Sequence, residues 1–203
     1  MLKKIALLTV SISSVFAMHT AELNINQYDL EAALNLDVGQ FNETVEPDTT
    51  FVGIQYLKAG TENASYNDIH KYVNLNFMIK QEIQNTNFKI GLGVKGIYTS
   101  SEIAGNDASF IATPLGAEIT YEIPLNIAIP IGFKVSAHYA PESLSFSDAS
   151  RYLEYRAEGY AKLMQRASVY IGYRKIDTRY NMNDNTYDYS YNKSVYFGFR
   201  FSF

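Results

Sequence analysis

The chain has 203 residues, 17 lysines and arginines against 21 aspartates and glutamates, a formal net charge of −4, and neither cysteine nor tryptophan. The acidic balance argues against nucleic acid as a partner, since that needs a basic face, and the lack of cysteine excludes disulfides and a lipid-attachment thiol. After residue 17 no apolar run approaches the roughly 20 residues of a membrane-spanning helix.

The chain opens on a basic Met1-Leu2-Lys3-Lys4, followed by an apolar stretch from Ile5 to Phe16 and by Val15-Phe16-Ala17, with small residues at both positions a signal peptidase reads. Residues 1–17 are predicted to be a signal peptide cleaved after Ala17, with 18–203 a single domain. Losing Lys3 and Lys4 leaves 15 basic against 21 acidic residues, a mature charge of −6. A short strand is predicted from Ala21 to Asn26, with Leu23 and Ile25 on one face. Nine longer segments of alternating hydrophobicity follow, near 29–41, 50–59, 69–82, 87–99, 109–123, 129–140, 150–163, 167–178 and 193–203. Their apolar faces carry residues such as Leu34, Ile54, Leu75, Leu92, Ile119, Val135, Leu153 and Ile171.

The last segment presents Val195, Phe197, Phe199, Phe201 and Phe203 on one face. So aromatic a face on terminal residues suits the lipid side of a transmembrane barrel, whose strands run apolar-out and polar-in. With the C-terminus on the periplasmic side, the short links are 83–86, 124–128 and 164–166, and the longer polar ones are 60–68, 100–108, 141–149 and 179–192. Tyr56, Tyr98, Tyr139 and Tyr173 then form an outer aromatic girdle beside the long loops, with Phe88, Tyr121, Phe201 and Phe203 as its periplasmic counterpart. The fold class is all-β, an antiparallel transmembrane β-barrel. Ten strands are expected, or eight if a weak segment such as 50–59 is loop or plug, and the location is the outer membrane of a Gram-negative bacterium.

Tyr139-Ala140-Pro141-Glu142-Ser143-Leu144-Ser145-Phe146-Ser147-Asp148, then Tyr152-Leu153-Glu154-Tyr155 and Tyr170-Ile171-Gly172-Tyr173-Arg174-Lys175-Ile176, resemble the YfaZ family of small outer-membrane proteins. Gly91-Leu92-Gly93-Val94-Lys95 and Pro114-Leu115-Gly116 add to the resemblance. It runs from about residue 29 to the C-terminus and is weakest at 181–192. It implies fold and location, and no activity comes with it.

Strand parity points Lys89, Lys95, Glu118, Glu122, Lys134, His138, Glu154, Arg156, Glu158, Lys162, Arg174 and Arg200 into the lumen. Opposite charges on neighbouring strands can pair there, as Arg156 and Glu158 with Arg174, or Glu118 and Glu122 with Lys134. The reading preferred is a small envelope barrel with a charge-filled lumen, structural in role. A narrow porin-like passage is the alternative, and an acyl hydrolase using Ser143, Ser145 or Ser147 with His138 and Asp148 is the second alternative. No enzyme activity, cofactor or metal is expected. Tyrosines 180, 187, 189 and 191 fall in a predicted hydrated surface loop from Asp177 to Lys193. The C-terminal strand is read as an outer-membrane assembly signal, the partners as outer-membrane lipid, lipopolysaccharide and the assembly machinery, and the state as monomeric.

Overall fold

The computed structural model describes residues 19–60, 72–103, 106–125, 127–182 and 185–203. The predicted signal peptide and His70 lie outside the described residues. Twelve strands form one sheet: β1 (Thr20–Ile25), β2 (Leu30–Asp37), β3 (Thr50–Lys58), β4 (Tyr72–Glu82), β5 (Phe88–Ile103), β6 (Asn106–Ala112), β7 (Leu115–Glu122), β8 (Ile131–Ala140), β9 (Ser145–Ser147), β10 (Ala149–Met164), β11 (Ala167–Met182) and β12 (Asn185–Ser202). All pairings are antiparallel. The sheet closes because β1 pairs with both β2 and β12, in a register that sets Thr20 against Ser202 and Ile25 against Phe197. Closure removes every edge along the wall.

The wall is ten strands around. β6 and β7 occupy successive halves of one position beside β5, separated at Thr113-Pro114, and β9 stands beside β6 above the point where β8 ends. Proline has no N–H to give a ladder, so the run read as one strand over 109–123 breaks there. Its carbonyl still accepts from Lys95 N at 3.0 Å, which keeps the two halves in line.

Burial is inside out. Leu92 is 64% exposed, Ile171 63% and Val195 58%, whereas Glu154, Arg174 and Asn192 are fully buried. In β10 the alternation is regular from Tyr152 to Tyr160, with the polar and tyrosine side inward. An apolar outer face this continuous is stable only against lipid. Aromatic rings pair on this outer face: Phe88 lies 4.4 Å from Tyr121 and Tyr121 5.3 Å from Phe133, near the end where Thr20 meets Ser202, and Tyr155 and Tyr173 pair at 6.1 Å further along. Tyr98 and Tyr139 are exposed on this face, and Tyr56 is partly so.

Several connections differ from the sequence reading. The links at 100–108 and 179–192 are not long loops: β5 runs on to Ile103 and β6 starts at Asn106, and β11 reaches Met182 with β12 starting at Asn185. Tyr98 and Tyr173 therefore lie within strands that continue past the belt. Beyond Tyr173 the outward positions of β11 turn to Lys175, Asp177, Arg179 and Asn181, which marks where the apolar band stops. Segment 29–41 is strand only to Asp37, followed by a 3-10 turn at Val38–Gln40. The 38–49 link is thus a long one on the side of the short turns. It is tied down by the Asp37 carboxylate, which accepts from Gly39 N, Gln40 Nε2 and Asp48 N.

Candidate functional site

A chain of alternating charges crosses the lumen. Glu31 of β2 accepts from Arg156 of β10 through both terminal guanidinium nitrogens, at 2.7 and 3.0 Å, from Asn24 Nδ2 at 2.6 Å, and from Arg174 of β11. Arg156 Nε donates to Glu154 Oε1 at 2.5 Å, and Glu154 Oε2 accepts from Lys95 of β5 at 2.6 Å. Arg174 also reaches Asn192 Oδ1 at 2.8 Å and Asp29 Oδ2 at 3.3 Å. Strands β2, β10 and β5 stand about a third of the circumference apart, so these bonds tie opposite walls together. Three carboxylates, Asp29, Glu31 and Glu154, meet three cations, Lys95, Arg156 and Arg174. Charges this deeply buried persist when each is paired and hydrogen-bonded, as here.

A second tier lies nearer the end where Thr20 pairs with Ser202. Arg200 donates to Glu22 Oε1 at 2.8 Å and to Glu158 Oε2 at 2.9 Å, Lys134 pairs with Glu158 at 2.9 Å, and Lys80 pairs with Glu118 at 2.6 Å. Again three cations match three carboxylates. Lys162–Glu122 and Lys89–Asp48 are half-exposed or partly exposed pairs at the rim.

On the opposite side of the cross-lumen web the interior turns apolar. Leu57, Tyr72, Ile97, Phe110, Tyr152, Ile176, Tyr180, Tyr189 and Tyr191 form one buried cluster. It joins the web through Tyr152, whose hydroxyl donates to Glu154 Oε2 at 2.9 Å and lies 2.8 Å from the Tyr72 hydroxyl. The tyrosines 180, 189 and 191, read as part of a hydrated surface loop, are instead the cap of the barrel. The cause is a β-bulge: Ile176 faces Asn192 and Asp177 faces Ser190, leaving Tyr191 as the extra residue. A bulge shifts the alternation by one, so Tyr189 and Tyr191 join the even-numbered Asn192, Ser194 and Tyr196 on the inside.

The sequence reading placed twelve charged or histidine residues in the lumen. The structure brings Lys95, Glu154, Arg156 and Arg174 into the web and Glu118, Lys134, Glu158 and Arg200 into the second tier, leaves Lys89, Glu122 and Lys162 at the rim, and buries His138 with no hydrogen-bond partner among the described residues. The pairings differ from those expected. Arg174 binds Glu31 and Asp29 rather than Glu154 or Glu158, and Glu118 binds Lys80 rather than Lys134. Glu22, Asp29, Glu31 and Lys80 were missed. They share the inward parity of their strands, and reading Leu23 and Ile25, or Leu30 and Leu34, as outward already points Glu22 and Glu31 inward.

The serine, histidine and aspartate of the considered hydrolase do not assemble. Ser145 Oγ donates to the Pro141 carbonyl, Asp148 accepts from Ser109 N, and neither His138 nitrogen has a partner among the described residues. Among the described residues no group of three or more metal-ligating side chains is present.

Below the web, at the end where Thr20 pairs with Ser202, the lumen opens as a cavity of about 580 Å3. Its inner end is formed by Lys95, His138 and Arg156, and Thr20 and Ser202 lie at its mouth.

A closed ten-stranded antiparallel barrel with an apolar outer band, aromatic belts and a charged interior is a transmembrane barrel of the outer-membrane type. The chain belongs to the YfaZ family: the family described as YfaZ precursor matches residues 7–203. A search of the curated proteins returns no match. Among solved structures, one titled "NanC porin structure in rhombohedral crystal form" matches with a TM-score of 0.41 at 10% identity, over 91% of this chain and 98% of that chain. A likeness that distant carries no argument about this chain.

Proposed function

We propose that this outer-membrane barrel is a plugged, non-catalytic wall protein of the envelope, open as a cup toward the periplasm and closed toward the outside. The observation that carries this reading is the continuity from web to cap: the Glu31–Arg156–Glu154–Lys95 chain spans the cross-section, and the Tyr72–Tyr152 pair joins it to the aromatic cluster behind. Two stacked layers with buried, hydrogen-bonded side chains leave little room for a solute to pass. Its surroundings would be lipid at the apolar band and lipopolysaccharide where Lys175 and Arg179 replace it, and the barrel would act as a monomer, since closure leaves no strand edge to share. Delivery would run through the outer-membrane assembly machinery after cleavage near Ala17.

The test is single-channel recording of the refolded protein in a planar bilayer. Silence is expected. Regular discrete openings of the wild-type barrel would replace this reading with the narrow passage, and release of acyl chains from lipid vesicles would replace it with the hydrolase.

A further inference from the structure

We propose that the cup below the charge web is a binding site for a small, uncharged, hydroxyl-rich solute of about monosaccharide to disaccharide size. Its volume of about 580 Å3 falls within the range of small-molecule sites. Its chemistry follows from which lining groups are already satisfied. At the mouth Glu82 and Arg166 are exposed with no ion pair among the described residues. Farther in the charged groups are satisfied, since Lys80 with Glu118, Lys134 with Glu158, and Arg200 with Glu22 and Glu158 cancel one another within 3 Å. An anionic or cationic ligand would have to displace one of these partners, whereas a neutral one leaves all of them in place.

Inside the mouth the groups left open are neutral. His138 is 3% exposed, lines the inner end of the cavity, and has no hydrogen bond at either ring nitrogen among the described residues. A neutral imidazole offers one donor and one acceptor, and a hydroxyl, which both donates and accepts, complements it. Both ring nitrogens are themselves shielded, the ring edge lying over Gly116, so a hydroxyl that pairs with either has to turn the ring toward the cup. A buried polar group without a partner is costly, which favours that exchange. From other strands the cup receives two amides. Gln55 spends its carbonyl on Asn74 Nδ2 at 2.6 Å, which leaves its NH2 available, and Asn76 makes only a long contact of 3.4 Å with Asn35. Next to Asn76 on the mouth side Phe51 and Met78 line the same wall, an apolar surface for the C–H side of a ring, with the Lys80 ammonium 5.3 Å from the Phe51 ring. Paired charges, amides, an imidazole and one apolar patch select hydroxyls over formal charge.

The experiment uses the full mature chain refolded in detergent micelles with its histidines isotopically labelled, and the signal of ring 138 assigned from a His138→Gln sample. Glucose and maltose are titrated as neutral probes, and gluconate and glucosamine as charged counterparts of similar size. Saturable movement of the His138 signals with the neutral sugars, at unchanged His19 signals, is expected. Gln55→Leu or Asn76→Leu should weaken glucose by about tenfold or more, the loss of about one good hydrogen bond. If His138→Gln refolds poorly, the two leucine variants followed by calorimetry carry the same test. No saturable response to any probe means that the cup holds water only and overturns the proposal. Tighter binding of gluconate or glucosamine overturns the ligand class. Neither result bears on whether the barrel is plugged, which conductance reads separately.

Discussion

Tyr170 of β11 lies across Gly198, its partner on β12, so closely that a Cβ on the glycine would stand 2.0 Å from the ring. The arrangement recurs. Tyr196 covers Gly172 in the same ladder, Tyr160 covers Gly132, and His138 covers Gly116, each pair directly opposite in register. Around the cup these inward rings lie flat over the facing position, and glycine supplies the space.

Gly198→Ala should therefore destabilise the barrel by about 1–3 kcal/mol, the usual cost of overpacking. Adding Tyr170→Leu should recover part of the loss, because the clash is with that ring. Urea unfolding in detergent micelles measures both. A neutral Gly198→Ala would show that the ring does not rest on the glycine.

The web gives a second test. Arg174→Met leaves Glu31 with one cation fewer and Asp29 with none of its guanidinium contact, and should cost about 3–5 kcal/mol. Arg174→Met combined with Glu31→Gln should lose less than the sum, with a coupling of about 0.5–3 kcal/mol. Lys162→Ala, at a rim pair that is nearly half exposed, should cost at most about 1 kcal/mol. Additive losses at Arg174 and Glu31, or a Lys162 effect as large as that of Arg174, would remove the web as the main brace of the wall.

Which parts of this were readable from residues alone follows from periodicity. Alternation is a property of single strands, so nine segments, the outward set Val195 to Phe201 and the inward set Glu154, Arg156 and Glu158 could be read directly, while the short strand at Ala21 to Asn26 followed from the even count that closure needs. The partners of Arg174 could not, because Glu31 is three strands away around the ring and its contact depends on barrel closure. The buried tyrosines 189 and 191 were hidden for another reason. The bulge at Tyr191 reverses parity without any change in composition, and the polar residues between the tyrosines look like loop until their ladder with β11 is drawn.

The two faces can be separated by arginine. Leu92→Arg, at a position 64% exposed on the outer side, should cost about 2–4 kcal/mol near the mid-membrane. Ala33→Arg, which points into the cup, should cost clearly less. Ser136 is a poor control, although it faces inward, because it is buried directly between Glu118 and Arg156. Refolding yield and urea midpoint in micelles report the difference, and a larger penalty at Ala33 than at Leu92 would reverse the assignment of faces.

Phe203 separates delivery from folding. It lies just past the last ladder pair, Thr20 with Ser202, where its N–H donates to the His19 carbonyl at 3.0 Å and its ring stacks beside Phe201 at 6.3 Å. Its removal takes no ladder partner from β1, so a chain lacking Phe203 should still refold in micelles with near-normal yield. In cells the same chain should collect in the periplasm or be degraded, because the outward apolar row of β12, Val195, Phe197, Phe199 and Phe201, continued by Phe203, is the feature we expect the assembly machinery to recognise at the last strand. Membrane fractionation with heat-dependent gel mobility reads delivery, and the micelle experiment reads folding. Wild-type amounts of the truncated barrel in the outer membrane would end this idea, and failure in both experiments would make Phe203 a folding residue instead.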